Sequence, residues 1–347
     1  LLAVASLGRF ASMMRANRLA VQARLDAIEL KRLGQYTLQE KLGEGGMGVV
    51  YRAKHAMLHR PTAVKFLDAA KTNEKSIAKF ELEVQLTSQL NHPNTIAIFD
   101  YGRTPEGVFY YAMEYLDGLN LQDLVHRHGP LPEGRVIHLL KQVCGSLAEA
   151  HSIGLIHRDV KPANILLNVR GGMFDVVKLL DFGLVKVMDS ASAALATKPG
   201  KVVGTPYYMS PEMYQSPDTI DARSDLYAVG AVGYFLLTGT PPFRGESVKE
   251  ILNHHVKTAP EPPSQRLGQP VSPELEQLLL RCLSKSAADR PATAIEMIAE
   301  LDRVPSANSW TESDARHWWR RYIPHLETNS PSETATSAQR SETVVLD

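Results

Sequence analysis

The sequence predicts an α+β protein of two lobes, a small and mostly antiparallel sheet with one helix, followed by a larger and mainly helical part. Three observations carry this. From Tyr36 to Leu116 the chain runs in short β-branched and aromatic stretches, YTLQEKL, GVVYRAKH, TAVKFLD, TIAIFDYG and GVFYYAMEYL, interrupted by one helical stretch from Glu74 to Leu90. After Asp117 the apolar spacing becomes helical, as in LQDLVHRHG, RVIHLLKQVCGSLAEAHSIG and PELEQLLLRCLSKS, with loops rich in Gly, Pro and Asp. The 347 residues are 44% hydrophobic and 22% charged, the balance of a globular chain that can bury a core.

Residues 1–35 read as a basic helical segment in which Arg9, Arg15, Arg18, Arg24, Lys31 and Arg32 stand among apolar positions with few acids. Two readings stand. It is a solvated linker helix, or Leu1 to Leu7 is the tail of a truncated transmembrane helix and the arginines are its cytoplasmic flank. The start at Leu1 rather than Met suggests a piece of something longer. The body of the chain is expected in the cytoplasm on either reading, and on the second a membrane tether lies upstream of residue 1. LLAVASLGRF is too short to span a bilayer, and LYAVGAVGYFLLTG, Leu226 to Gly239, also falls short of the roughly 20 residues required. The latter reads as a helix buried in a core.

Lys plus Arg and Asp plus Glu both number 38, which excludes the global basic field of a nucleic-acid binder. Cys144 and Cys282 both sit in apolar helical patterns and read as small buried hydrophobes in a reducing compartment. His151, His254, His255 and the other histidines are scattered, with no carboxylate or cysteine at metal-ligand spacing.

The chemistry starts at LGEGGMGVVYRA, where Gly43, Gly45 and Gly48 follow a G-x-G-x-x-G spacing. A dinucleotide-binding turn would open a helix; here another strand follows, which removes that reading. A glycine-rich hairpin between strands brings bare backbone N–H groups close to polyphosphate oxygens. On the next strand, TAVKFL, Lys65 alternates with inward apolar neighbours and points toward the core, where an unpaired ammonium is costly and an anion is needed. The following helix offers Glu81 and Glu83, of which Glu83 is the choice to hold Lys65. Further on, HRDVKPANILL places Asp159, Lys161 and Asn164 in one loop, and LLDFGLVK places Asp181 just after a short apolar strand.

In this ordered set the chain, from about Tyr36 to Arg303, resembles the protein kinases, and specifically the bacterial Ser/Thr kinases of eukaryotic (Hanks) type. The resemblance implies the bilobal protein kinase fold, with an N-lobe over 36–116 and a C-lobe over 117–303. It implies transfer of the γ-phosphate of ATP to Ser/Thr hydroxyls of protein substrates, in signal transduction, with Mg²⁺ as the only metal. By resemblance, Asp159 accepts the hydroxyl proton, Lys161 neutralises the γ-phosphate, Lys65 holds the α- and β-phosphates with Glu83 behind it, and Asp181 and Asn164 each hold Mg²⁺. The nucleotide would contact Leu42, Gly43, Glu44, Gly45, Gly46, Met47, Gly48, Val50, Ala63, Lys65, Met113, Glu114, Leu116, Leu166 and Asp181, with Val50 over the adenine, Met113 as gatekeeper, and the backbone of Glu114 and Leu116 bonding the base.

VGTPYYMSPE, Val203 to Glu212, resembles the substrate-docking loop, with Thr205 facing Asp159 and Lys161 and Ser-Pro-Glu where Ala-Pro-Glu is commoner. By family analogy Glu212 pairs with Arg290 and Asp225 braces the catalytic loop. Arg158 offers a guanidinium to a phosphate on Ser190, Ser192 or Thr197, with Thr197 favoured, which implies autophosphorylation and self-association. The rival class is a pseudokinase that binds nucleotide without transfer, but Lys65, Glu83, Asp159, Asn164, Asp181 and the glycines are all in place. The tail, 304–347, turns rich in Ser, Thr and Glu. Within it WTESDARHWWRRYIPHL carries a capping signature at Thr311 or Ser313 and predicts a short tryptophan-bearing helix docked on the body, before an end without a packed core.

Overall fold

The computed structural model describes residues 32–45, 48–67, 81, 84–104, 107–182 and 206–324. The first lobe is built on strands β1 (Arg32–Leu33), β2 (Tyr36–Gly45), β3 (Gly48–His55), β4 (Pro61–Leu67), β5 (Ile98–Arg103) and β6 (Phe109–Glu114). They pair antiparallel in the order β1-β2-β3-β4-β6-β5. Every residue of β4 after Pro61 is buried, because both faces of the sheet are covered there. One face packs Tyr36, Leu38, Val49, Tyr51, Val64, Phe66 and Ala112 together. The other sets Leu67, Phe109 and Tyr111 against Val84 of helix α1, described over 84–88.

The end of the helical segment expected over residues 1–35 is corrected: Arg32 and Leu33 form β1, since Tyr36 and Thr37 offer them a strand to pair with. The rest of that segment lies outside the described residues. Strand β5 begins at Ile98 rather than Thr95, because Thr95 and Ile96 turn to the second lobe, where Ile96 N–H donates to the Leu179 carbonyl.

The second lobe is helical around one core, with α2 (Leu121–His128), α3 (Glu133–Ser152), α4 (Ala222–Thr238), α5 (Val248–Lys257), α6 (Pro273–Cys282), α7 (Ala294–Leu301) and α8 (Glu312–Tyr322). Helix α4 is buried from Ser224 to Thr238, as an all-round apolar helix must be. It is bounded by the Asp221 side chain, which accepts from Arg223 N–H, and by Gly239 at φ 73°. Cys144 and Cys282 are both free and buried in this core. Within the stretch that the periodicity assigned to helices lies a small sheet, β7 (Gly118–Asn120), β8 (Ile165–Arg170) and β9 (Met173–Leu179), whose short strands no helical period reveals. Thr311, not Ser313, caps α8, in a reciprocal box with Asp314. Among the described residues no helix is long and apolar enough to cross a membrane.

Candidate active site

Register places one wall of the site. Lys65 pairs with Val50 on β3 and with Tyr111 on β6, while Ala63 pairs with Met113. Since side chains alternate, Val50, Ala63, Lys65, Tyr111 and Met113 share the face turned to the second lobe. Lys65 Nζ reaches Asp181 Oδ1 at 2.7 Å, and the Tyr111 hydroxyl donates to the same oxygen at 2.8 Å. Burial opposes ionisation of Asp181, but the Lys65 charge and these two hydrogen bonds outweigh it and hold its carboxyl below the ordinary value. Above this wall the hairpin β2–β3 brings Gly43 opposite Val50, Glu44 opposite Val49 and Gly45 opposite Gly48. Gly48 has φ 139°, and a Cβ there would lie 1.8 Å from the Phe66 carbonyl oxygen, so no other residue fits. Leu42 is exposed, and Gly46 and Met47 lie outside the described residues.

The second wall is the loop His157–Asn164. Lys161 Nζ donates to Asp159 Oδ2 at 2.7 Å, and Asn164 Nδ2 donates to the Asp159 carbonyl at 2.9 Å and to Oδ2 at 3.0 Å. Asp159, Lys161 and Asn164 therefore form one knot. Asp225, at the start of α4, accepts from the His157 and Arg158 amides, both at 2.8 Å, and faces His151 Nε2 at 2.8 Å. His157 bridges the knot to Asp181: its Nδ1 accepts from Asp159 N–H, which leaves Nε2 to donate to the Leu180 carbonyl at 2.9 Å. Burial pushes the His157 imidazole below its ordinary pKa, against the pull of Asp225 and Asp159, in keeping with a neutral ring. Arg158 and Asp181 both adopt left-handed backbone, φ 62° and 52°, at a cost of about 1 kcal/mol each that the surrounding hydrogen bonds offset.

Leu166 on β8 lies against Gly118, where a Cβ would come within 2.7 Å of it. At the end of β6, Leu116 is half-buried. The Glu114 amide is committed to the Ala97 carbonyl, and its buried carboxylate accepts from Ala97 N–H and pairs with Lys178 and Arg170. Glu81 turns outward to Arg103, while Glu83, Thr205, Ser190, Ser192 and Thr197 lie outside the described residues. Glu212 and Arg290 make a two-point pair at 2.7 and 2.8 Å. A hollow beside Asp159 is lined by Lys161, Met209 and Met213.

Among the described residues no three His, Cys, Asp or Glu side chains gather as metal ligands. The oxygen donors at the cleft are the Asp181 carboxylate and Asn164, whose Nδ2 is spent on Asp159 and whose Oδ1 is the acceptor that remains. This donor set fits a hard divalent cation. From the sequence, Tyr111 and His157 carry no role, and His151 is weighed only as a metal ligand. Tyr111 carried a signal, the two-residue spacing that puts it on the same face as Met113; His157 and His151 acquire roles only through Asp225 and Leu180.

Comparison with known proteins agrees with this arrangement. The protein kinase domain family matches residues 36–301. The serine/threonine-protein kinase pkn3 of Myxococcus xanthus is 42% identical over 285 residues, 81% of this chain and 52% of the relative. PknB of Mycolicibacterium smegmatis is 42% identical over 274 residues, 78% of this chain and 43% of the relative. The chain thus spans about half the length of the curated relatives it matches. Among solved structures, a double mutant of the Mycobacterium tuberculosis PknI kinase domain superposes with a TM-score of 0.63 at 26% identity, covering 80% of this chain and 98% of its own. With a small antiparallel sheet over a helical lobe, the Lys65–Asp181 contact between them and a family match over most of its length, the chain belongs to the protein kinase family.

Proposed function

We propose that this chain transfers the γ-phosphate of ATP to serine and threonine hydroxyls of protein substrates, with Asp159 as the base. The observation that carries this is the knot in which Asp159 receives both Lys161 and Asn164 while Asp181 stands against Lys65. Phosphoryl transfer asks a protein mainly for position and charge, since little covalent work remains for it. Asp159 Oδ2 is held by two donors on the rim of the hollow lined by Met209 and Met213, where a substrate hydroxyl would enter and give up its proton. Lys161 and Lys65 supply positive charge on either side of the transferred group, and Gly43, Gly45 and Gly48 bring backbone over the phosphates. Asn164 Oδ1 and Asp181 would hold Mg²⁺, which when bound neutralises phosphate charge. The likeness to pkn3 and PknB supports serine and threonine as acceptors.

Autophosphorylation between Asp181 and Glu212 belongs to the same proposal and rests on Arg158, held beside Asp159 by Asp225. A membrane tether upstream of residue 1 rests on the basic run of residues 1–35 alone.

The test is transfer of labelled γ-phosphate from Mg·ATP to the chain itself and to a generic basic protein. Wild type labels serine and threonine, and Asp159→Asn loses about 10²- to 10⁴-fold. Wild type that binds ATP but labels nothing would replace this reading by that of a nucleotide-binding scaffold.

A further inference from the structure

From Leu301, where the family match ends, the described residues as far as Pro324 stay packed on the second lobe. Asp175 of β9 is 0% exposed and has φ 53°, and its carboxylate takes four hydrogen bonds: Arg135 Nε at 2.9 Å, Arg135 Nη2 at 2.8 Å, Trp310 Nε1 at 2.9 Å and Trp319 Nε1 at 2.7 Å. The Arg135 guanidinium lies 4.1 Å from the Trp318 ring centre and 4.8 Å from that of Trp310. A buried ion pair is tolerable only when its remaining lone pairs are filled, and here two indoles of the late segment fill them.

The first turn of α3 is shaped for the same segment. Glu133 accepts from the Ser272 and Ser306 hydroxyls, and a Cβ on Gly134 would meet Ser309 Oγ at 2.3 Å and Trp310 N at 2.8 Å. Glu312 accepts from Phe174 N–H at 3.2 Å.

We propose that Trp310 and helix α8 clamp the far end of the β8–β9 hairpin and thereby position Asn164 and Asp181, which stand at its near end. Asn164 immediately precedes β8 and Asp181 follows β9, and the two strand ends are tied by Leu180 N–H to the Asn164 carbonyl at 2.9 Å. An unbroken ladder, from Ile165 opposite Leu179 to Asn168 opposite Val176, joins that end to the clamp. Asp175 and Asp181 are six residues apart on this path, about 20 Å at strand rise. Trp310, Trp319, Arg135 and Asp175 are therefore positioning residues, and their effect on nucleotide rests on the function proposed above.

The test uses the full chain with Trp310→Phe and Trp319→Phe together, which keep an aromatic six-membered ring but remove the indole N–H donors; Trp319→Phe alone serves should the pair fail to fold. Amide exchange over Val176–Leu180 is expected to quicken about tenfold. The Kd for Mg·ATP is expected to rise about threefold or more while turnover at saturation stays within about twofold. Exchange that quickens only over 304–324 and 133–135, or an unchanged Kd, would overturn the clamp. Wild type without transfer would instead sink the proposed function, and exchange at Val176–Leu180 would still decide the clamp.

Discussion

Lys65 and Asp181 meet at 2.7 Å across the cleft, an ammonium from the centre of the six-stranded sheet against a carboxylate just past the end of the three-stranded one. The contact ties the two lobes at the point where the proposed phosphate and cation ligands converge. Neither partner is fully wet, with side-chain exposures of 7% and 27%, and the Lys65 charge helps to keep the Asp181 carboxyl below its ordinary pKa against the effect of burial.

Removing the ammonium should therefore act on chemistry and stability together. Lys65→Met is expected to lower labelled-phosphate transfer by at least about 10²-fold. It is also expected to cost about 1–3 kcal/mol in denaturant unfolding, less than a fully buried pair because Asp181 retains some water.

Asp225 holds the loop His157–Asn164 by its backbone. In Asp225→Asn the amide N–H₂ takes the place either of Oδ1, against the Arg158 N–H, or of Oδ2, against the His157 N–H beside His151 Nε2, so in either orientation a backbone hydrogen bond is replaced by a clash of donors. The expected loss is about 2–4 kcal/mol in the thermal or denaturant midpoint. Turnover should fall with it, since Arg158 is held at φ 62° next to Asp159.

Two glycines of the same motif should respond differently. Gly48→Ala drives a Cβ into the Phe66 carbonyl and should open the end of the β3–β4 ladder, destabilising by about 2 kcal/mol or more. Gly43 has open space at its Cβ position, so Gly43→Ala should leave the unfolding midpoint within about 0.5 kcal/mol of wild type. Parallel melts of the two variants check this.

The pH dependence of stability follows from two groups, the buried His255 and the partly buried Glu212. Burial, with Lys285 nearby, pushes His255 down to about 3, whereas an unfolded histidine titrates at 6.5. Below pH 6.5 the unfolded chain takes up a proton that the folded one refuses, so stability falls by about 1.4 kcal/mol per pH unit from this site. Burial raises the Glu212 pKa, but the hydrogen bonds from Arg290 and Ser224 prevail and bring it down to about 2, against 4.5 ordinarily. Its contribution, about 3 kcal/mol, is complete above pH 4.5 and is lost as pH falls toward 2. Unfolding midpoints from pH 7.5 to 4.5 should drop in wild type and flatten in His255→Gln; a flat wild-type profile would contradict the assignment.

What the sequence by itself determined is whatever short-range covalent spacing enforces. Asp159, Lys161 and Asn164 fall within six residues, so one loop conformation joins them. The alternation of TAVKFL sends Lys65 to the same face as Ala63 whatever the rest of the chain does. The apolar run of α4 could only be buried, and the capping signature before WW marked the start of α8. The tertiary structure alone decided the contacts between distant segments. Nothing near Asp225 in the chain says that its carboxylate serves amides 67 and 68 residues earlier, nor near Asp175 that tryptophans 135 and 144 residues later close over it. Such partners are chosen by the cost of burying a charge without hydrogen bonds, a cost that arises only once the lobes are packed and water has left.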